Sequence, residues 1–471
     1  MTMALGAPLV PELALFALAV IVLLAGLIRP GRAIGWLAFA GLLAVLGVMY
    51  IAREGTLFEG SFIQDELALF AKRLFLFASA VCLLGSLTMK QPAFDRRSAE
   101  YHFALLVSLL GMLVLASARD LILLFVAFEL MSIPLYVLTG FLKRETVAPE
   151  AALKFFLVGT VSSAIIAYGM SFVYGMTGTT ALSAIPQALA AGHPLMLLGM
   201  GLLLAGLGFK IAAFPFHMWA PDAYEAASTP FVAWLSVAPK AAGFVAIIRL
   251  YVEGVGTAAL IWMPFIATLA AMTVITGNLM AIPQQNIKRM LAYSGIAHIG
   301  YMLIGLAAFS TAGVATILFY LVAYLFGNMG AFLVVEAVGR SEESNGIDAY
   351  QGLAQRSPLL ALAMLVFLLS LGGIPFVAGF WAKLYIFVAA AERGLYGLVF
   401  LGAVLTVVAL YYYLVVARRM YIEAPVRPEP VRINGLLGAA IALCALGVVG
   451  VGVYPAPWVA LAQRVAATLF S

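Results

Sequence analysis

Apolar residues run along this chain in stretches of roughly 20, the length a helix needs to cross a hydrocarbon layer of about 30 Å. Short turns containing Gly, Pro or charged residues separate the stretches. The pattern predicts fourteen membrane-spanning helices, near residues 9–28, 34–52, 67–89, 100–118, 121–141, 151–175, 195–219, 229–252, 257–281, 287–309, 312–339, 358–391, 394–421 and 434–456. A transmembrane barrel would show short alternating segments instead. The expected fold is therefore an all-α polytopic membrane protein.

Two of these spans carry signs of interruption. The run at 358–391 would be about 50 Å long as a single helix, and Gly372-Gly373-Ile374-Pro375 offers a place to break it. In the seventh span Pro215 removes a backbone hydrogen bond shortly after Lys210. Broken helices survive at membrane depth only where protein or a watery cavity receives the freed backbone groups. Spans 7 and 12 cross in opposite directions, and each holds a lysine and an X-Pro-Phe break, Phe214-Pro215-Phe216 and Ile374-Pro375-Phe376. This predicts two inverted five-helix repeats, spans 4–8 and 9–13. The expected organisation is helices 1–3 over 1–99, a first repeat over 100–252, a second over 253–421 and helix 14 over 422–471.

Composition agrees with a membrane solvent. Of 471 residues 65% are hydrophobic and only 10% charged, too little polar surface to coat a soluble globule. The first span lacks a positive n-region and a small-residue cleavage site, so it is expected to be retained rather than removed as a signal peptide. Cys82 and Cys444 lie far apart in apolar runs and suggest buried hydrophobes; no Cys/His cluster suggests a metal or iron–sulfur site.

The net charge of +5 comes from loop residues set by topology, not from a nucleic-acid surface. Every second loop, with the span ends beside it, collects sixteen of the 26 basic residues, including Lys90, Lys143, Arg144, Lys154, Lys288 and Arg289. The opposite side holds five: Arg53, Arg119, Arg249, Arg393 and Arg464. The positive-inside rule makes the rich side cytoplasmic and puts both termini outside.

Five basic residues remain inside spans: Lys72, Arg73, Lys210, Lys240 and Lys383. Lys72 and Arg73 lie near a span end and are expected to snorkel to the surface. Lys240 is about 16 Å from either end of its helix, beyond the reach of a lysine side chain. Ionisable residues so placed are costly and usually functional.

Glu129, in LLFVAFELMSIPLY, is the clearest intramembrane carboxylate, and pairing with Lys210 is the natural expectation. Burial favours the neutral form of each group, whereas an opposite charge nearby favours the ionised form. Glu336 precedes Arg340 by one turn and suggests a surface pair. His298, in LAYSGIAHIGYML, can change charge near neutral pH and would bridge Lys240 and Lys383 if it lies between them. His217 beside Trp219 suggests a gate for water or an interface anchor.

The row Glu129, Lys210, Lys240, His298 and Lys383 offers no nucleophile with a base, no phosphate loop and no metal constellation. Its chemistry is proton exchange, driven from outside because the chain shows no cofactor site.

The stretches GFKIAAFPFHMWAPDAYEAASTPFVAWLSVAPKAAGF, GNLMAIPQQNIKRMLAYSGIAHIGYML and FLLSLGGIPFVAGFWAKLYIF resemble the antiporter-like membrane subunits of bacterial NADH-quinone oxidoreductase, respiratory complex I. The resemblance covers nearly the whole chain and is nearest to the N branch of that family. A sister branch has an acid where Lys383 stands, and another extends into a lateral helix, whereas this chain is expected to stop after span 14.

The resemblance implies discontinuous spans 7 and 12 and a polar axis formed by Glu129, Lys210, Lys240, His298 and Lys383. It implies a proton-translocating subunit of the bacterial inner membrane, held among other membrane subunits and a peripheral arm. FMN, the iron–sulfur clusters and the quinone site would then belong to partner subunits. A subunit of a multi-subunit cation/proton antiporter or membrane-bound hydrogenase would share this fold, and a structural scaffold with inert ion pairs is the alternative from another class.

Overall fold

The computed structural model of the protein describes residues 7–87, 89, 92–142, 147–255 and 259–470. Lys90, Lys143 and Arg144, counted above among the loop cations, lie outside them. The longer helices are α1 Val10–Ile28, α2 Ala33–Ile51, α3 Glu66–Ser86, α4 Ser98–Ser117, α5 Leu121–Thr139, α6 Val147–Thr177 and α7 Pro194–Ile211. There follow α8 Trp219–Ala226, α9 Thr229–Leu235, α10 Ala238–Val255, α11 Ala259–Ala281, α12 Ile287–Ala307 and α13 Thr311–Glu342. The chain continues through α14 Pro358–Gly372, α15 Ala378–Glu392, α16 Tyr396–Tyr421, α17 Gly435–Val453 and α18 Ala456–Phe470.

Taking α9 and α10 as one span, thirteen helices among the described residues are long and apolar enough to cross a membrane. The remaining expected span, 358–391, consists of the two shorter helices α14 and α15.

Three spans form the centre. The apolar lengths of 229–254 and of α12 are buried, and that of α13 nearly so. By contrast α1, α2, α6, α11, α16 and α17 leave most residues of their apolar lengths at least partly exposed, as apolar helices facing lipid or another membrane subunit do. The close approach of α11 to α12 depends on small residues, because a Cβ at Gly277 would meet the Ala297 backbone nitrogen at 2.3 Å. One added on Gly300 would meet that of Val274 at 2.6 Å. Small residues are how membrane helices pack without a hydrophobic driving force between them.

Both helix interruptions end alike. α7 stops at Ala212 in the left-handed conformation, with Ala213 N–H bonded to Gly208 O at 2.9 Å. α14 stops at Gly373, φ 80°, with Ile374 N–H bonded to Leu369 O at 3.0 Å. This six-to-one closure satisfies carbonyls that a continued helix would have used. Pro215 and Pro375 then fall in the non-helical segments. Beyond the first break, Trp219 Nε1 donates to Phe209 O at 3.0 Å and Phe214 N–H to Thr273 Oγ1 at 3.1 Å. At the second, Gly379 N–H donates to Ser370 Oγ at 3.1 Å.

Four features depart from the sequence expectation. A two-stranded hairpin, β1 Gly55–Leu57 paired antiparallel with β2 Phe62–Gln64, joins α2 to α3. After α17 the chain turns at Pro455 and forms α18, which packs on α13 and α3. Lys72 does not snorkel: it is fully buried, with Nζ 2.6 Å from Glu12 of α1 and 2.8 Å from Gln64 Oε1. Arg249 is likewise no exposed end residue. It is fully buried, forks onto Asp65 at 2.6 and 3.0 Å, and also reaches Glu253 at 3.1 Å.

A row of buried lysines, hydroxyls and a histidine

Each lysine of the predicted row is placed by a different device. Lys210 occupies the last turn of α7, just before the first break. It is buried, and Nζ donates to Ser132 Oγ of α5 at 2.8 Å while facing the Phe128 ring at 5.4 Å. Lys383 follows the second break but reaches back across it, donating to Leu371 O at 2.9 Å and Gly372 O at 3.3 Å. The Lys383 ammonium thus sits at the carboxyl end of a half-helix, where the carbonyls carry partial negative charge. Gly373 makes room for the second lysine, because a Cβ there would lie 2.9 Å from Lys383 Cδ.

Glu129 and Lys210 do not form the direct ion pair expected from the sequence. Glu129 is half-buried and accepts a hydrogen bond from Ser163 Oγ of α6. Ser132 stands one turn further along α5, donates to Phe128 O at 2.5 Å and accepts from Lys210. Two serines therefore stand where contact between opposite charges was expected.

Lys240 lies on α10 in the buried part of 229–254. Its Nζ faces the Tyr224 ring at 5.3 Å and, among the described residues, has no hydrogen-bond partner. His298, on α12, contacts neither lysine by hydrogen bonding. Its Nδ1 meets Tyr320 Oη at 2.6 Å and its Nε2 meets Tyr413 Oη at 3.3 Å. Tyr413 Oη in turn meets Ser294 Oγ at 2.5 Å. The ring of Tyr301 lies 4.9 Å from Lys383 Nζ, and its hydroxyl accepts from Thr406 Oγ1 at 3.2 Å. Asn278 and Tyr412 extend this polar patch, with Tyr412 Oη donating to Asn278 Oδ1 at 3.2 Å.

Sequence reasoning overlooked these hydroxyls. Tyr320 and Tyr324 do share one helix face, four residues apart in LFYLVAYLF, and that spacing is the signal available for them. His217 is mostly buried, with its ring stacked on Phe214 at 5.6 Å. Glu336 pairs with Arg340 as expected, although its side chain is buried rather than on the surface.

The turn joining the two lysine helices is pinned by the amino end of α12. Arg289 Nη1 meets Asp222 Oδ1 and Glu225 Oε2, both at 2.8 Å. Lys288 Nζ donates to Glu225 O at 2.9 Å and Ala227 O at 2.6 Å, and Lys154 reaches Asp222 at 3.3 Å. Partial burial opposes ionisation of Asp222, but hydrogen bonds and charge from Arg289 and Lys154 outweigh it and hold the carboxyl below its ordinary range.

With this geometry in view, residues 118–409 match the family model described as NADH:quinone oxidoreductase/Mrp antiporter, TM, which spans more than half of the chain. The chain belongs to the NADH:quinone oxidoreductase/Mrp antiporter family. Within that family it is 40% identical to NADH-quinone oxidoreductase subunit N of Desulforamulus reducens, over 97% of both chains. It is 41% identical to NADH-quinone oxidoreductase subunit N 2 of Rhizobium meliloti, over 97% of this chain and 96% of the relative.

A chain of respiratory complex I from Thermus thermophilus with bound aureothin superposes with a TM-score of 0.83 at 32% identity, covering 96% of this chain and 99% of that one. A chain of the Mrp complex from Dietzia shares the fold of this family member, with a TM-score of 0.90 at 21% identity over 100% of this chain and 98% of the other.

Proposed function

We propose that this chain is the proton-translocating membrane subunit of an NADH-quinone oxidoreductase, in which Glu129, Lys210, Lys240, His298 and Lys383 exchange protons. The observation that carries this is the row of buried lysines, two beside helix breaks and one alone in the buried centre, in a chain of this family. The lysines and the histidine can each hold a proton on nitrogen, Glu129 can hold one on a carboxylate oxygen, and the intervening hydroxyls both donate and accept. Protons can therefore pass without any change to a bond with carbon.

In this proposal the chain holds no redox centre. NADH oxidation on FMN, electron transfer through iron–sulfur clusters and quinone reduction take place in partner subunits of the membrane and peripheral arms. The protein lies in the bacterial inner membrane with the face bearing Asp222 and Arg289 towards the cytoplasm and both termini outside. The two broken spans belong to inverted repeats over 100–252 and 253–421, so that each repeat presents one broken helix and its lysine to the shared axis.

The deciding experiment is Lys240→Ala in the assembled enzyme, with proton pumping and quinone reduction measured together in proteoliposomes. Pumping per quinone reduced is expected to fall while assembly is retained. Unchanged pumping would remove Lys240 from the path and reduce the row to structural ion chemistry.

A further inference from the structure

Asn286 is the last residue before α12, and three separate elements meet on it. Its Oδ1 accepts from the Lys288 N–H at 2.9 Å and the Arg289 N–H at 3.4 Å, which caps the helix. Its Nδ2 donates to Glu225 Oε1 in α8 at 3.0 Å. On the other side its backbone is bridged antiparallel to Gly346: the Ile287 N–H donates to Asn345 O and the Ile347 N–H to Gln285 O, both at 2.9 Å.

The elements joined in this way lead to the two helix breaks. α8 follows the first break, and its Trp219 Nε1 donates to Phe209 O, beside Lys210. Asn345–Ile347 lie in the linker between α13 and α14. That linker runs into Pro358, the first residue of α14, whose last carbonyls hold Lys383.

The linker is fastened along its length. Its Gly352 N–H donates to Arg419 O at 3.0 Å, Gln351 Nε2 to Glu423 Oε2 at 2.9 Å, and Arg356 Nη1 to Glu342 Oε1 at 2.7 Å. Gly352, φ 64°, lies so close to Pro425 that a Cβ would meet its nitrogen at 2.4 Å. A segment so fastened moves with the helices it joins rather than buckling. Lys288 and Arg289 also grip the end of α8, but it is 285–287 that pairs with the linker. Capping alone does not call for asparagine, since aspartate and serine cap as well. What asparagine adds is a donor beside an acceptor in one side chain, so that α12 and α8 are held at once.

We infer that Asn286 couples the two broken spans on the face that bears Asp222, so that α8 and the linker into α14 shift together. It is a positioning residue, acting on Lys210 through α8 and on Lys383 through α14. A rearrangement at one break then reaches the other without passing along the row of buried side chains. That consequence for transport rests on the proton-transfer role proposed above.

The test inverts one hydrogen bond in the assembled complex. Asn286→Asp keeps the cap but sets a carboxylate against Glu225. Adding Glu225→Gln restores the bond with donor and acceptor exchanged, while the new amide still offers its oxygen to Arg289. Hydrogen exchange is followed by mass spectrometry in α8, in the linker 343–357 and across the second break at 373–377. Loss of a hydrogen bond to a charged group shifts a population about tenfold or more. In Asn286→Asp exchange is therefore expected to quicken about tenfold in all of these segments, and pumping per quinone reduced to fall. The double variant should return both to the unaltered level.

If Asn286→Asp fails to assemble, Asn286→Ser, which caps without adding charge and is too short to hold Glu225, makes the same comparison between α8 and the second break. Faster exchange confined to α8 would overturn the coupling, as would a double variant that stays altered. Unchanged exchange everywhere in Asn286→Asp would reduce Asn286 to a helix cap. Normal pumping by Lys240→Ala would instead defeat the proton-transfer proposal and leave the exchange result standing.

Discussion

Lys210 Nζ meets Ser132 Oγ at 2.8 Å, and Ser132 stands one turn along α5 from Glu129, which is itself engaged by Ser163. A neutral hydroxyl is thus the direct neighbour of this buried ammonium, with the carboxylate turned towards α6. Such an arrangement lets the charges approach or separate by rotating side chains, because no direct ion pair must first be broken.

Ser132→Ala removes the hydrogen-bond acceptor that Lys210 uses. A hydrogen bond to a charged group is worth about 1.5–3 kcal/mol, and the lost hydroxyl changes little volume in a site bounded by aromatic rings. The expected outcome is a complex that assembles with reduced pumping per quinone reduced. Ser132→Thr, which keeps a hydroxyl, should retain more activity than alanine; equal loss in both would indicate that packing, not hydrogen bonding, is what Ser132 supplies.

The Glu12–Lys72 pair, 2.6 Å apart with both side chains buried, ties the first helix to α3. Removing one member of a buried pair leaves an uncompensated charge and costs about 3–5 kcal/mol, whereas replacing both with apolar residues is often neutral. Glu12→Leu and Lys72→Met should therefore each lower the melting temperature of the purified complex, and the double variant should recover most of it. Should the double variant be as unstable as the singles, the pair would have a role beyond mutual neutralisation.

Asp222 supplies a pH dependence outside the spans. Its folded pKa is depressed, so the stabilisation it gives to α8 is fully present above the ordinary aspartate value of about 3.9. That stabilisation is lost as pH falls through the lower folded value. Its carboxylate is about one-third exposed, which screens the interaction. Hydrogen exchange of this helix, corrected for intrinsic rates, should quicken below about pH 4, and Asp222→Asn should show the faster exchange already at neutral pH. An unchanged protection pattern in that variant would count against Arg289 and Lys154 as clamps.

Much of this organisation is legible in the amino-acid order because a bilayer punishes errors severely. Charges inside apolar runs stand out, so Lys210, Lys240 and Lys383 can be found without any tertiary information. Pro215 and Pro375 mark the breaks for the same reason. Hydroxyls do not stand out: Ser132, Ser163 and Tyr413 cost little in an apolar run when they bond to a nearby carbonyl or neighbouring helix.

The placement of Lys72 shows the other limit. Whether a lysine near a span end reaches the surface depends on what waits beside it, and Glu12 lies 60 residues away in sequence. The amphipathic α18 was likewise hidden, because its apolar face becomes meaningful only against α13 and α3.

The apolar length of 229–254 is buried, and Lys240 lies part-way along it. Membrane voltage falls across the thickness of such a body, at about 2.3 kcal/mol per elementary charge for each 100 mV. In the proposed path a proton that pauses on Lys240 has done only part of that electrical work. The ascent against the voltage is divided into steps, and no single transfer has to cover the whole drop.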